Sequence, residues 1–139
     1  MTVIVPDASV LLKWVLPGTE EPDAAKAIEL RDAVIAGDID MLLPSLWLYE
    51  VGNILALKRP EVAEQSLGSL VDFGLKEAEH TPEWRQQILR LTRQYRVTFY
   101  DAAYHALAIT QLGTLVTADQ KYVNKTKRAG HLVLLANYA

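Results

Sequence analysis

The feature that most constrains this chain is its opening stretch, Thr2-Val-Ile-Val-Pro-Asp-Ala-Ser-Val-Leu-Leu. Val3 to Val5 is a short apolar run of β-branched residues and reads as a buried strand. Pro6 ends it, because proline has no N–H for a sheet ladder and fixes its own φ. Asp7 then falls in the turn before an apolar, helical run that reaches Leu16. In an open α/β sheet, the turn after a strand opens into the crevice where ligands bind. An acid at that point is either a helix cap or one wall of a site.

The rest of the chain repeats the alternation. The first helix, from Ala8 to about Leu16, is expected to close at Pro17-Gly18, and the second to start around Glu20-Glu21-Pro22-Asp23 and stop at Gly37. Met41-Leu-Leu is a short strand ended by Pro44, and Ser45 is placed to cap a helix from Leu46 to Lys58. Pro60 opens another helix, to Phe73 with Gly74 after it, and Leu75–Glu79 is a weak strand candidate. Thr81-Pro82 restarts a helix whose apolar positions are Trp84, Ile88, Leu91 and Tyr95. An alanine-rich helix over Tyr100–Leu112 precedes Gly113. The strand Leu115-Val-Thr, a helix from Asp119 to Ala129 ended by Gly130, and the strand Leu132–Leu135 complete the chain. This order predicts an α/β fold, one domain over residues 1–139, with a mainly parallel central sheet flanked by helices on both faces.

Composition narrows the chemistry. Hydrophobic residues are 50% and charged ones 22%, a globular mixture, and no apolar run approaches the roughly 20 residues of a membrane span. The apolar start reads as a strand, with no basic segment before it to mark a signal peptide, so a cytoplasmic protein is expected. The chain has no cysteine, which excludes thiol catalysis and thiolate zinc sites, and its histidines, His80, His105 and His131, show no metal-ligand spacing. The net charge of −3 hides an asymmetry. Residues 1–83 carry six basic and fifteen acidic side chains, whereas residues 84–139 carry eight basic and two acidic, Asp101 and Asp119. Either solubility and chance placed these charges, or the basic half faces a polyanion.

Four acids sit in unusual settings. Glu50 lies in Leu46-Trp-Leu-Tyr-Glu-Val-Gly-Asn-Ile-Leu-Ala-Leu, a helix apolar nearly all round and so expected to be buried, with Asn53 on the same face. A buried carboxylate needs a basic partner or a cation, and this helix supplies no obvious basic partner. Asp101 opens a small-residue helix, where an acid is commonly a dipole partner; His105, one turn on, is within reach of it or else a partly buried surface residue. Asp119 follows its strand as Asp7 follows the first, either as an N-cap or as part of a site at the same sheet edge. Ser9 and Thr117 would add hydroxyls there. Four carboxylates without thiolates make a hard oxygen site suited to Mg²⁺ or Mn²⁺.

These pieces, Val5-Pro-Asp-Ala-Ser-Val-Leu-Leu-Lys-Trp, Glu50-Val-Gly-Asn-Ile-Leu, Tyr100-Asp-Ala-Ala-Tyr-His-Ala-Leu-Ala and Leu115-Val-Thr-Ala-Asp, resemble PIN-domain proteins of the VapC type, the toxin half of prokaryotic toxin–antitoxin pairs. The resemblance covers essentially the whole chain. It implies that Asp7, Glu50, Asp101 and Asp119 bind the metal and act in catalysis, and that Ser9, Asn53 and Thr117 support them. It further implies Mg²⁺- or Mn²⁺-dependent endonucleolytic cleavage of RNA, restraint by a cognate antitoxin, and a homodimer. Gly52 stands where alanine is common in that family, a small departure.

Basic residues from Arg85 to Arg96 and from Lys121 to Arg128 are candidates for guiding the RNA backbone. Trp14, Trp47 and Tyr49 are read as core or interface residues ahead of base-stacking ones. Three rivals remain: a phosphoacceptor signalling domain, which would carry adjacent acids after the first strand where Asp7 stands alone; a PIN fold used only for binding; and a PIN nuclease of RNA processing or structured DNA.

Overall fold

The computed structural model describes residues 2–16 and 22–139. Strand β1 (Val3–Pro6) leads into helix α1 (Ala8–Val15), followed by α2 (Ala24–Ala36), β2 (Asp40–Met41), α3 (Trp47–Lys58) and α4 (Ala63–Phe73). Then come α5 (Pro82–Tyr95), α6 (Phe99–Thr110), β3 (Thr114–Thr117), α7 (Gln120–Thr126) with a short 3₁₀ turn, and β4 (Leu132–Leu134). The four strands form one all-parallel sheet in the order β2-β1-β3-β4. Val5 pairs with Leu115, and Val116 with Val133. Successive strand residues point to opposite faces, and Ile4, Val5, Leu115 and Val116 are all buried, so the helices cover both faces.

The sheet's two central strands approach closely where β3 begins. A Cβ on Gly113 would lie 2.3 Å from the Val3 carbonyl oxygen, so only glycine fits there. α1 and α6 both pack on β1 and β3, and α5 packs along α6. The indole N–H groups of Trp14 and Trp84 are satisfied by the carbonyls of Ala27 and Ala103, each at 2.9 Å. Trp14 and Trp47 are core residues, as expected.

Gly37 and Gly74 take left-handed backbone at the ends of α2 and α4, as expected, and Thr81 caps α5 by accepting the Trp84 N–H, whereas α6 stops at Thr110 and α7 at Thr126, short of Gly113 and Gly130. Helix starts move more. α2 begins at Ala24 after Asp23, which sits at φ 60°; Glu20 and Glu21, like Pro17-Gly18, lie outside the described residues. Ser45 does not cap α3, whose first N–H groups instead close a turn onto the Pro44, Ser45 and Leu46 carbonyls. α4 starts at Ala63, after a turn at Pro60. Leu75–Glu79 contributes a single bridge, Glu77 beside Leu43, and the last strand ends at Leu134.

The expectation that α3 is buried all round is not met. Trp47, Val51 and Leu55 are buried, whereas Tyr49 and Leu57 are about three-quarters exposed, at 74% and 75%. α3 packs on α1 and α4 by one side only. A hydrophobic sequence with weak amphipathicity leaves the buried side to be chosen by its neighbours.

Candidate active site

β1 and β3 are parallel neighbours, so the residues that follow them emerge at one edge of the sheet. Asp7 caps α1: one carboxylate oxygen accepts the Ser9 N–H at 3.0 Å and also the Ser9 hydroxyl. Its other oxygen accepts the Thr117 hydroxyl at 2.5 Å, reaching across from the end of β3. Thr117 Oγ1 in turn accepts the Asp119 N–H at 3.0 Å, and Ser9 Oγ accepts the Ala118 N–H at 3.0 Å. Asp119 caps α7 by accepting the Tyr122 N–H at 3.0 Å. The two readings of these acids therefore coexist: each is a cap, and each lines a cavity.

That cavity has a volume of about 170 Å³. Asp7, Ser9 and Asp119 enter it from the sheet edge, Glu50 from α3 and Asp101 from the first turn of α6. Thr98 holds the α6 end in place by accepting the Asp101 N–H at 3.1 Å. Among the described residues, no basic side chain belongs to the lining. Burial pushes the Asp7 carboxyl above its ordinary pKa, against the pull of its hydroxyl and backbone donors. Glu50 is raised by burial and then by the charges of Asp101 and Asp7; Asp101 is raised by burial and then by Asp119. The acids thus feel one another, and the cavity favours a positive charge.

The donor set fits a hard divalent cation, being carboxylate and hydroxyl oxygen throughout. The buried Tyr104 hydroxyl, on the same cavity, faces the Glu50 carboxylate and lowers its pKa against the effect of burial. Among the described residues, however, no three acidic or histidine side chains stand close enough together to hold one ion. The four acids surround a shared space without converging on a point.

Asn53 is not brought to this site. It is exposed, and Ile54 lines the cavity in its stead. One helical turn from Glu50 can be met at i+3 or i+4, and in α3 it is the i+4 residue, Ile54, that lines the cavity. His105 is fully buried and bonds away from Asp101. Its Nε2 meets the Gly130 carbonyl at 2.8 Å, and a carbonyl only accepts, so Nε2 carries the proton. Burial lowers the His105 pKa and keeps the ring neutral, leaving Nδ1 to accept the Tyr122 hydroxyl at 2.9 Å. Tyr104 and Tyr122 are the lining residues that sequence reasoning passed over. Their signal was present as spacing, three residues after Asp101 and three after Asp119.

A parallel α/β fold with acids gathered at the carboxyl edge of its central strands defines the class of protein. The chain belongs to the PIN domain family, whose profile matches residues 4–128. No curated protein matches it. Three solved structures are similar over nearly their whole length. PAE2754 from Pyrobaculum aerophilum is 25% identical with a TM-score of 0.66, covering 97% of this chain and 92% of the other. A toxin–antitoxin complex from Klebsiella pneumoniae is 14% identical, with a TM-score of 0.66 and coverage of 95% and 97%. VapBC2 from Rickettsia felis, bound to a DNA fragment from its promoter, is 16% identical, with a TM-score of 0.68 and coverage of 96% and 97%. The last two show likeness of fold. No helix among the described residues is long and apolar enough to cross a membrane.

Proposed function

We propose that this chain, as one PIN domain, is a metal-dependent endoribonuclease and the toxin component of a type II toxin–antitoxin pair. The observation that carries the proposal is the cavity lined by Asp7, Glu50, Asp101 and Asp119 with, among the described residues, no basic side chain. Membership of the PIN family and the fold shared with two toxin–antitoxin proteins support it. In this reading Asp7, Glu50, Asp101 and Asp119 would together hold Mg²⁺ or Mn²⁺, which would supply an activated water and neutralise charge on a phosphodiester.

The chain's own groups prepare the site. Ser9 and Thr117 donate to Asp7 and so keep its carboxylate oriented and ionisable at the end of β1. Thr98 fixes the α6 terminus that carries Asp101, and the caps at Asp7 and Asp119 tie both acids to rigid helix starts. The Tyr104 hydroxyl faces Glu50 and favours its ionised carboxylate, against the upward push of burial. Asn53 has no part in this arrangement. The partners in this reading are RNA, a cognate antitoxin and a second copy of the chain, and the setting is the cytoplasm.

RNA cleavage by purified wild type and Asp101→Asn, with Mg²⁺, Mn²⁺ or EDTA, tests the proposal. Metal-dependent cleavage that disappears in the variant is expected; equal cleavage by both proteins would refute it. The wide spacing of the acids favours a second reading, a non-catalytic PIN binding module. Thermal stability under metal titration separates the two, since a binding module shows no shift.

A further inference from the structure

A second cavity, of about 420 Å³, adjoins the acidic one and shares Asp101, Asp119 and Tyr122 with it. Its own lining carries three cations, Arg96, Lys121 and Lys125. The lining therefore passes from four acids to a groove in which three cations stand beside the two shared carboxylates. Among the described residues no carboxylate pairs with any of these cations. All three side chains belong to exposed residues, open to a ligand from solvent.

The backbone beneath the groove is specifically built. Arg96 sits at φ 55°, a left-handed conformation that glycine adopts freely and arginine does not. Its carbonyl accepts the Lys125 Nζ at 3.1 Å, which ties α7 to the end of α5. The cations further along α5 do not share this groove. Arg85 lies 3.0 Å from the His80 ring, and Arg90 lines a separate cavity with Ile109 and Ala129. Arg96, Lys121 and Lys125 are thus the members of the basic segments that line the cavity adjoining the acidic site.

We propose that this groove binds the phosphodiester backbone of single-stranded RNA next to the bond that is cut, with Arg96, Lys121 and Lys125 as positioning residues. The inference rests on the ribonuclease reading of the acidic cavity. A scissile phosphate at the acids needs a cation there, while its neighbours along the strand need charges from the protein. The adjoining groove supplies them on one side. Tyr122 belongs to the common wall with Asp101 and Asp119 and is held at its hydroxyl by His105.

The test is binding of a fluorescein-labelled, mixed-sequence single-stranded RNA by the full chain in EDTA across a salt series, with cleavage kinetics in Mn²⁺ beside it. Each lost phosphate contact on a single strand lowers the salt slope by about 0.7. Lys121→Ala/Lys125→Ala is expected to bind at least about tenfold more weakly at low salt, with a slope smaller by about 1.4. Its KM should rise while kcat holds. Lys121→Arg/Lys125→Arg should restore both values, and Arg90→Ala should behave as wild type. Because Lys125 also braces α7, Lys121→Ala alone provides a variant free of that role, with an expected slope change of about 0.7. If wild type binds and cuts RNA while the alanine variants keep its slope and KM, the groove assignment is overturned and the ribonuclease reading stands. If wild type neither binds nor cuts RNA, both fall, and an acidic protein segment becomes the ligand to test at the groove.

Discussion

Replacing Thr117 with valine removes one hydroxyl and leaves the side-chain shape nearly unchanged, which isolates the link between the two central strands at the site. Thr117 is fully buried, donates to Asp7 at 2.5 Å and accepts the Asp119 N–H at 3.0 Å. A hydrogen bond to a charged group contributes about 1.5–3 kcal/mol, and a neutral one about 1. Asp7 keeps its two Ser9 donors, and the exposed Asp119 region recovers water, so the upper sum is not reached. We expect a loss of about 2–3 kcal/mol near pH 7.5, or a Tm lower by about 10 °C for a domain of this size. The sign of the pH dependence follows from Asp7. The Thr117 hydroxyl favours the ionised carboxylate, opposing the upward shift caused by burial. Its removal therefore matters most where Asp7 is charged, and the penalty shrinks as pH falls through the elevated Asp7 pKa. Urea denaturation of metal-free protein near pH 7.5 and near pH 4 measures this for wild type, Thr117→Val, Asp7→Ala and the double variant. A coupling of about 1–2 kcal/mol is expected at the higher pH. A cost below about 0.5 kcal/mol there, or one equal at both pH values, would refute the reasoning.

Glu50→Gln should stabilise the metal-free protein near neutral pH. The folded-state pKa of Glu50 lies above its ordinary value, chiefly through burial and then through Asp101 and Asp7. Its contribution is therefore fully present below the unfolded pKa and is lost as pH rises through the folded one. The variant should exceed wild type by up to about 1 kcal/mol near pH 7.5, after allowance for solvent screening, and match it near pH 4. Saturating Mg²⁺ or Mn²⁺ should cancel or reverse the advantage; an advantage that grows on acidification would count against a carboxylate cavity. Gly113→Ala should lower stability by about 3 kcal/mol, because the new Cβ meets backbone rather than a flexible side chain. Calorimetry reads this as a Tm drop of about 10 °C, and a drop under about 2 °C would mean that β1 and β3 separate freely.

Much of the frame is legible in single residues because its signals are local. Pro6 after a β-branched run, the Thr81-Pro82 pair, and Gly37, Gly74 and Gly130 each impose a backbone state on their own neighbourhood. The starts of α2, α3 and α4 were less legible. At α3, backbone carbonyls rather than the Ser45 side chain take the first N–H groups. Tyr104 and Tyr122 read as core aromatics in the sequence, and are buried, yet they are also walls of the cavity.

The sequence by itself determined the alternation of strands and helices, and the repeat of strand, acid and helix at Asp7 and Asp119. Parallel pairing of β1 with β3 then obliges those two acids to share an edge. Tertiary structure alone decided the rest. It chose which side of α3 is buried, and so admitted Glu50 and Ile54 to the cavity and left Asn53 in solvent. It sealed His105 behind Tyr122, and it selected Arg96, Lys121 and Lys125 from eight basic residues as neighbours of the acids. The physical reason is range. A cap or a β-branched run acts over a few bonds, whereas the rotation of a helix is set by packing against elements tens of residues away.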